Sequence, residues 1–272
     1  MSKQGSSFKD ALQNVFATSA ILIAFIIAYL LFVNIMGNPV NFEGGNPKGH
    51  PLEGNYLGII YKGGFIVPIL MTCVLVLIIF VFERTITLSR AKGKGRINTF
   101  VRQLQVLLGE DKIEEAMVLC DKQRGSLANV MKAGLSRYRD LQNDKVLEKD
   151  QKILSIQKSF EEATALELPM LSKNMVIFST LASISVLIGL IGTVLGMIRA
   201  FGALAQAGAP DALALSTGIS EALVNTALGI TGSTLSIIAF NYFSSSIDGY
   251  TYKIDEAGFS LTQNFAASLK SN

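Results

Sequence analysis

The sequence contains G-L-I-G-T-V-L-G-M-I-R-A-F, from Gly189 to Phe201, and G-I-S-E-A-L-V-N-T-A-L-G, from Gly218 to Gly229, and these two stretches are its most informative part. Both lie within runs that are long and apolar enough to cross a bilayer. Both also carry small, hydroxylated or charged residues at positions where a lipid-facing helix would carry leucine. Such a pattern is typical of membrane helices that pack closely against other helices around a polar interior.

Composition extends this interpretation to the whole chain. Half of the residues are hydrophobic and only 17% are charged, against about 25% in ordinary soluble domains. A membrane span needs about 20 mostly apolar residues, and four segments reach that length: residues 15–36, 65–82, 174–201 and 213–243. The first run is longer than the apolar core of about 7–15 residues in a secretory signal, so we expect a retained helix. The sequence therefore predicts an all-α, polytopic membrane protein with four transmembrane helices.

The distribution of basic residues predicts the orientation of these spans. Most of the 24 Lys and Arg residues lie between the second and third spans, and basic clusters beside spans stay on the cytoplasmic side. The other two connections carry few basic residues and are expected to face the periplasm. The predicted layout is a cytoplasmic N-terminus (1–14), a periplasmic loop (37–64), a cytoplasmic helical domain (83–173), a periplasmic turn (202–212) and a cytoplasmic C-terminal tail (244–272).

Within the cytoplasmic domain we predict three helices. One follows Asp111, a second begins at Ser126, and a third runs from near Asp144 to Glu167, with a kink at Pro169 before the membrane. The sequence leaves open whether this domain is a solvated spacer or a docking surface for another protein. It contains no G-x-x-x-x-G-K-[ST] phosphate loop, so we do not expect ATP hydrolysis. We expect the protein not to be an enzyme.

Cysteine and histidine usage indicates no metal or cofactor site. Cys73 falls in a predicted span and Cys120 in the cytoplasmic domain, without the spacing of metal ligands. His50, the single histidine, lies in a loop rich in Gly, Asn and Pro. We expect the cysteines to serve packing and the histidine to be solvated.

The two quoted stretches place small and hydroxylated residues on defined helix faces. With 100° per residue, Gly189, Thr193, Gly196 and Ala200 fall within about 60° of one another on the third span. Thr226 and Ser233 share a stripe on the fourth span with Ile219, Ala222, Ile230 and Ile237. We predict that Gly189, Gly192, Gly196 and Gly229 allow close helix packing, and that the hydroxyl groups of Thr193, Thr226 and Ser233 face a polar interior. The alternative is that the hydroxyls only bond back to their own helix and the glycines only pack.

Glu221 and Arg199 are the ionisable residues within the spans. If Thr193 and Thr226 lie at equal depth, the rise of about 1.5 Å per residue puts Arg199 about 9 Å and Glu221 about 7.5 Å from that level, on the same side. A carboxylate in hydrocarbon costs several kcal/mol without a partner. We therefore predict that the two residues pair, within one subunit or across a subunit contact.

The same two stretches, followed by Asn241, resemble the TolQ/ExbB/MotA proton-channel family, and ExbB most. The resemblance is specific over residues 187–241 and loose in the cytoplasmic domain. It implies a motor subunit of the Gram-negative inner membrane that forms a homopentamer around the single helices of two ExbD-like partners. Such complexes use the proton-motive force to energise TonB, which opens outer-membrane transporters. By resemblance, Thr193 and Thr226 match the pore-facing threonines and Glu221 the glutamate of the last helix. With Ser233 on the same stripe as Thr226, the resemblance implies a proton pathway lined by Thr193, Thr226 and Ser233.

This chain also departs from the family pattern. It has an additional first helix and outer loop before the usual first span. Ser185 and Val186 replace an Ala-Pro pair, and Asn225 replaces a small residue before the threonine.

Proton transfer across about 30 Å of hydrocarbon needs a titratable group or water at depth. Hydroxyl groups relay protons but do not store them, so either Glu221 titrates or another chain supplies a carboxylate. We favour the second, because Glu221 lies about 140° around the helix from Thr226. We therefore expect an ExbD-like single-span partner that supplies a membrane aspartate, a TonB-like protein, and no nucleic acid. Other interpretations are a stator for gliding or flagellar motility, a TolQ-like envelope motor, a solute transporter and a structural scaffold.

Overall fold

The computed structural model describes residues 19–142, 144, 146–205 and 211–268, and these residues form helices joined by turns. Apart from one isolated bridge between Phe42 and Pro51, they contain no β-structure, which confirms the all-α fold. The helices are α1 (described over Ser19–Met36), α2 (Tyr56–Tyr61), α3 (Ile66–Ala91), α4 (Ile97–Gly109), α5 (Ile113–Gln123), α6 (Ser126–Gln142), α7 (Lys149–Ser172), α8 (Met175–Leu204) and α9 (Ala212–Ser268).

Four helical segments are long and apolar enough to cross a membrane, as predicted. They are Ser19–Met36, Ile66–Ala91, Lys149–Leu204 and Ala212–Ala267. The chain divides into two compact units. The membrane unit contains residues up to 81 together with 176–240, and the domain unit contains residues 82–175 and those from 241 onward.

The structural elements differ from the sequence-based bounds at several places. Helix α3 continues to Ala91 and α9 to Ser268, whereas the apolar runs end near residues 82 and 243. The extensions are polar and are held by packing within the domain unit, which hydropathy does not register. The expected N-terminal segment 1–14 and residues 206–210 of the expected periplasmic turn lie outside the described residues.

In the membrane unit, α1 is followed by a folded loop. The buried Asn41 side chain donates its amide to the carbonyls of Ile35, at 2.7 Å, and Met36, at 3.0 Å. It accepts a hydrogen bond from the side-chain amide of Asn55. The side-chain oxygen of Asn55 in turn caps the start of α2 by accepting a hydrogen bond from Gly58 N. The tight turn after α2 then leads into α3. The loop therefore has its own polar framework, which fixes the path of the chain into the second span.

The domain unit has a continuous apolar core. Phe265 of α9 stacks on Tyr138 of α6, with ring centroids 4.4 Å apart, and the ring of Phe160 from α7 lies where Gly134 provides space. Cys120 of α5 is buried in the same core, and burial raises the pKa of its thiol to about 12. This thiol therefore has a packing role at neutral pH.

The third helix of this domain differs most from prediction. Asp144 precedes the helix and accepts hydrogen bonds from the backbone N–H of Val146 and Leu147, which lower the pKa of its carboxyl group. The helix itself begins at Lys149, behind a reciprocal cap between Glu148 and Gln151.

Helix α7 continues through Pro169 to Ser172, so the kink expected at Pro169 stays a prediction. The break lies at Lys173 and Asn174, where Asn174 adopts a left-handed conformation with φ +63°. Asparagine tolerates this conformation better than most residues.

Candidate proton pathway and ion pair

Helices α8 and α9 approach so closely that their backbones touch. A Cβ atom built on Gly196 would lie 2.7 Å from the backbone N of Ala222, and one on Gly229 would lie 2.7 Å from the carbonyl of Ser185. Gly189 would meet the carbonyl of Asn225 at 2.8 Å. No side chain fits at these positions, which is the small-residue packing typical of membrane helices.

Gly192 makes a different contact in the same interface. Its Cβ position lies 2.5 Å from the Cβ atom of Asn225, so the asparagine side chain occupies the space that the glycine leaves. All four glycines that the sequence analysis selected for packing therefore lie in the α8–α9 contact.

Thr193 and Thr226 meet across this contact, hydroxyl against hydroxyl. Each hydroxyl also reaches a carbonyl of its own helix, Thr193 that of Gly189 at 3.2 Å and Thr226 that of Ala222 at 3.2 Å. Both residues are half-buried. The arrangement provides two adjacent groups that can donate and accept protons, and it also includes the back-bonding expected of isolated hydroxyls.

Ser233 is buried on α9, but it does not join the threonine pair. It lies seven residues beyond Thr226, which corresponds to about 10 Å along the helix. Its role in a pathway stays a prediction.

Arg199 and Glu221 lie together within one chain. The guanidinium Nη1 donates to both carboxylate oxygens, at 2.7 Å and 2.6 Å. The Glu221 side chain is 3% exposed, whereas that of Arg199 is 52% exposed and its guanidinium carbon lies 5.9 Å from the centre of the Phe65 ring. The carboxylate is thus enclosed and neutralised by a cation that retains access to the surface of this chain.

Asn225 has a contact that sequence reasoning missed. The residue is fully buried, and its amide donates to the carbonyl of Gly63 at 2.8 Å. Among the described residues its side-chain oxygen has no hydrogen-bond partner. The sequence signal was the replacement of a small residue by a polar one, but nothing in the pattern indicated which backbone group it would bind.

A second missed feature is the buried Arg84 of α3. It forms two hydrogen bonds with the adjacent Glu83, at 2.7 Å and 2.6 Å, and one with the carbonyl of Leu171 at 3.3 Å. By sequence, Arg84 belongs to the cluster of basic residues that directly follows the second span. The signal available in the sequence was an acidic residue followed directly by a basic one, Glu83 and Arg84, at the end of an apolar run.

No metal centre accompanies these groups: within the described parts of the chain, no three His, Cys, Asp or Glu side chains are placed to hold an ion.

Comparison with known proteins identifies the family. Residues 122–256 match the model of the MotA/TolQ/ExbB proton channel family. The chain belongs to this family. The matched region contains the threonine pair, the ion pair and the glycines of the α8–α9 contact, so the resemblance found in the two quoted stretches is confirmed.

Individual relatives agree with this membership. A putative biopolymer transport protein, ExbB-like 3, from Synechocystis is 38% identical over 89 residues, which cover 32% of this chain and 42% of that protein. ExbB from Pseudomonas putida is 32% identical over 81 residues, covering 30% and 25%. TolQ from Pseudomonas aeruginosa is 28% identical over 116 residues, covering 43% and 50%.

The chain thus matches half or less of the length of each of these relatives. Family membership and the four long apolar helices together describe a multi-pass inner-membrane protein of the MotA/TolQ/ExbB family.

Proposed function

We propose that this protein is the channel-forming subunit of an inner-membrane motor that uses the proton-motive force to energise TonB-dependent transport across the outer membrane. In this proposal five copies surround two copies of an ExbD-like single-span protein, and both chain termini are cytoplasmic. Relatives named as biopolymer transport proteins support the proposal. Moving one charge through 100 mV releases about 2.3 kcal/mol, so a few protons suffice to move a partner protein.

The observation that carries this proposal is the contact between the hydroxyl groups of Thr193 and Thr226. Both threonines lie on helices of bilayer-spanning length, in an interface where Gly189, Gly196 and Gly229 bring the two backbones into contact. Two adjacent hydroxyls in such surroundings can pass a proton between a donor and an acceptor. They cannot hold it, because an alcohol is neither acidic nor basic enough at physiological pH.

The proton-storing group is therefore assigned to a partner. Glu221 is the acidic residue found within the described spans of the membrane unit, and both of its oxygens bind Arg199. A carboxylate held by a guanidinium is a poor carrier, since protonation would sacrifice the ion pair. We assign the role of proton carrier to a membrane aspartate of an ExbD-like protein. Proton transfer to this aspartate moves the ExbD-like protein, and that movement is passed to a TonB-like protein.

Replacing Thr226 with valine tests the pathway. Valine matches threonine in shape but has no hydroxyl group, so Thr226→Val is expected to reduce proton-driven function while leaving the amount of assembled complex unchanged. The measurement is TonB-dependent uptake of an iron complex in cells that carry this protein and its partner, normalised to the complex recovered from membranes.

Thr231→Val is the matched control. Thr231 lies on the same helix, is exposed, and bonds back to the carbonyl of Ala227, so this variant loses a hydroxyl without touching Thr193. Equal uptake by the two variants would contradict a role of Thr226 in the pathway.

A TolQ-like envelope-maintenance motor is the second candidate. The match to the Pseudomonas aeruginosa TolQ covers 43% of this chain, more than the matches to the ExbB proteins cited above. A deletion strain separates the two functions. Impaired growth on iron complexes supports the ExbB-like role, whereas leakage of periplasmic proteins with normal iron uptake supports the TolQ-like role.

A further inference from the structure

The turn that precedes α3 lies directly on the ion pair of Glu221 and Arg199. This glycine turn comprises residues 61–64 and closes with a hydrogen bond from Gly64 N to the carbonyl of Tyr61. Gly64 has φ +74°, and a Cβ atom at this position would lie 2.7 Å from Oε1 of Glu221 and 3.7 Å from Nη1 of Arg199. Bare backbone therefore covers the carboxylate at a place where no side chain fits.

Asn225 connects the glycine turn to α9. Its amide donates to the carbonyl of Gly63 at 2.8 Å, and the residue is fully buried. The neighbouring Val224 also packs against the turn, since a Cβ on Gly63 would lie 2.8 Å from its Cγ1. The turn is thereby fixed to the helix that carries Glu221, one helical turn away from it.

The asparagine is itself held in place by α8. Gly192 provides the space in which the Asn225 side chain lies, so the amide has little freedom to leave the carbonyl of Gly63. On the other side of the turn, Phe65 lies beside the guanidinium of Arg199. The carboxylate of Glu221 is thus enclosed by α9 and by the glycine turn, while the aromatic ring covers one side of the more exposed Arg199.

We propose that Gly64 and Asn225 are positioning residues that hold the glycine turn as a cap over Glu221. The cap excludes water from the carboxylate and keeps it bound to Arg199. Glu221 then serves as a fixed counter-charge and takes no part in carrying protons. This last consequence rests on the proposed function, whereas the cap itself follows from contacts within the membrane unit.

Labelling with dicyclohexylcarbodiimide tests the cap. This apolar reagent modifies protonated carboxyl groups within membranes, and mass spectrometry of the digested full-length chain reports the modified fraction of Glu221. The wild-type protein in native membranes is expected to label weakly, because the carboxylate is paired and covered. Gly64→Ala is expected to raise the labelling of Glu221 several-fold, because the added Cβ collides with Oε1.

Gly54→Ala is the matched control for backbone strain. Gly54 has a similar φ of +76°, but nothing lies within 4 Å of its Cβ position. Labelling of Glu221 in the Gly54→Ala protein is expected to equal that in the wild type. Equal labelling of the Gly64→Ala and Gly54→Ala proteins would overturn the cap.

Asn225→Ala provides a second variant, for which increased labelling of Glu221 is again expected. Gly229→Ala controls for loosening of the α8–α9 contact, since its Cβ meets the carbonyl of Ser185 and not the turn. Glu83, which is paired with Arg84 in the other unit, serves as an internal reference for general unfolding. Increased labelling of Glu221 in Gly229→Ala to the level of Asn225→Ala, or a parallel increase at Glu83, would contradict the proposal.

The labelling needs neither a partner nor proton flux. If the labelling results support the cap but the Thr226→Val and Thr231→Val proteins show equal uptake, the proposed function is overturned and the cap remains. If Thr226→Val reduces uptake but the Gly64→Ala and Gly54→Ala proteins label equally, the cap is overturned and the proposed function remains.

Discussion

Glu221 and Arg199 form one ion pair, but removal of either partner should have different consequences. The side chain of Glu221 is 3% exposed and that of Arg199 is 52% exposed. Without Arg199 the carboxylate would remain buried and unpaired. Arg199 without Glu221 lies near the end of α8, where its long side chain can extend to the membrane interface. Breaking a fully buried pair costs about 3–5 kcal/mol. Here we expect most of that loss of stability when Arg199 is removed, and much less when Glu221 is removed.

We therefore expect Arg199→Ala to destabilise the protein more than Glu221→Gln. The measurement is the thermal unfolding of the purified full-length chain in detergent at neutral pH. Lys112→Ala is the control, because Lys112 and Glu110 form an exposed pair of the kind that contributes little to stability. Equal losses for the two variants of the buried pair would contradict the argument from exposure.

Sequence reasoning found this pair but not its surroundings. The common depth of Arg199 and Glu221 follows from the helical rise on antiparallel helices, once the two threonines are taken as level. The contacts of Asn225 and Gly64 do not follow in this way. They join residues far apart in the chain through a turn whose conformation depends on the whole loop, including the hydrogen bonds of Asn41 and Asn55.

At the level of elements, the contact between α8 and α9 depends on the absence of side chains. Gly196 packs against the backbone of Ala222. A Cβ atom built on Gly218 of α9 would lie 2.7 Å from the backbone N of Ala200. Any larger residue must separate the two helices and with them Thr193 and Thr226.

We expect Gly196→Val to destabilise the α8–α9 contact by at least about 1–3 kcal/mol, the usual cost of overpacking. Gly202→Val is the matched control on the same helix, since nothing lies within 4 Å of the Cβ position of Gly202. The measurement is the fraction of full-length protein that remains monodisperse after heating in detergent. Similar losses for both variants would indicate a general effect of valine on α8 and would contradict the contact.

The centres of the spans were predictable at this scale, but two of their ends were not. Apolar runs locate α3, α8 and α9, because hydropathy alone decides which segments enter a bilayer. The extension of α9 depends instead on buried residues spaced three or four apart within the domain unit, namely Tyr250, Ile254, Ala257, Leu261 and Phe265. The break after α7 lies at Asn174, five residues beyond Pro169, and the amide of Asn174 reaches Glu83 at 3.5 Å.

For the whole molecule, the pairing of its membrane carboxylate, Glu221, decides whether the chain can carry protons by itself. The described spans of the membrane unit contain Glu221 already bound to Arg199, together with hydroxyl groups that by their chemistry can relay protons but cannot store them. A proton path that depends on these groups alone has no site at which a proton can wait. The chain by itself should therefore form a membrane protein that does not conduct.

Reconstitution into vesicles tests this requirement for a partner. We expect vesicles that contain only the full-length chain to hold an imposed pH gradient, as reported by an internal pH-sensitive dye, and to lose it faster when the ExbD-like partner is included. The control complex carries the partner with its membrane aspartate changed to asparagine, which preserves the side-chain shape but removes the titrating group. Rapid proton entry with the chain alone, abolished by Glu221→Gln, would instead make Glu221 the carrier. That result would contradict both the assignment of the carrier to a partner and the role of Arg199 and the glycine turn in keeping Glu221 charged.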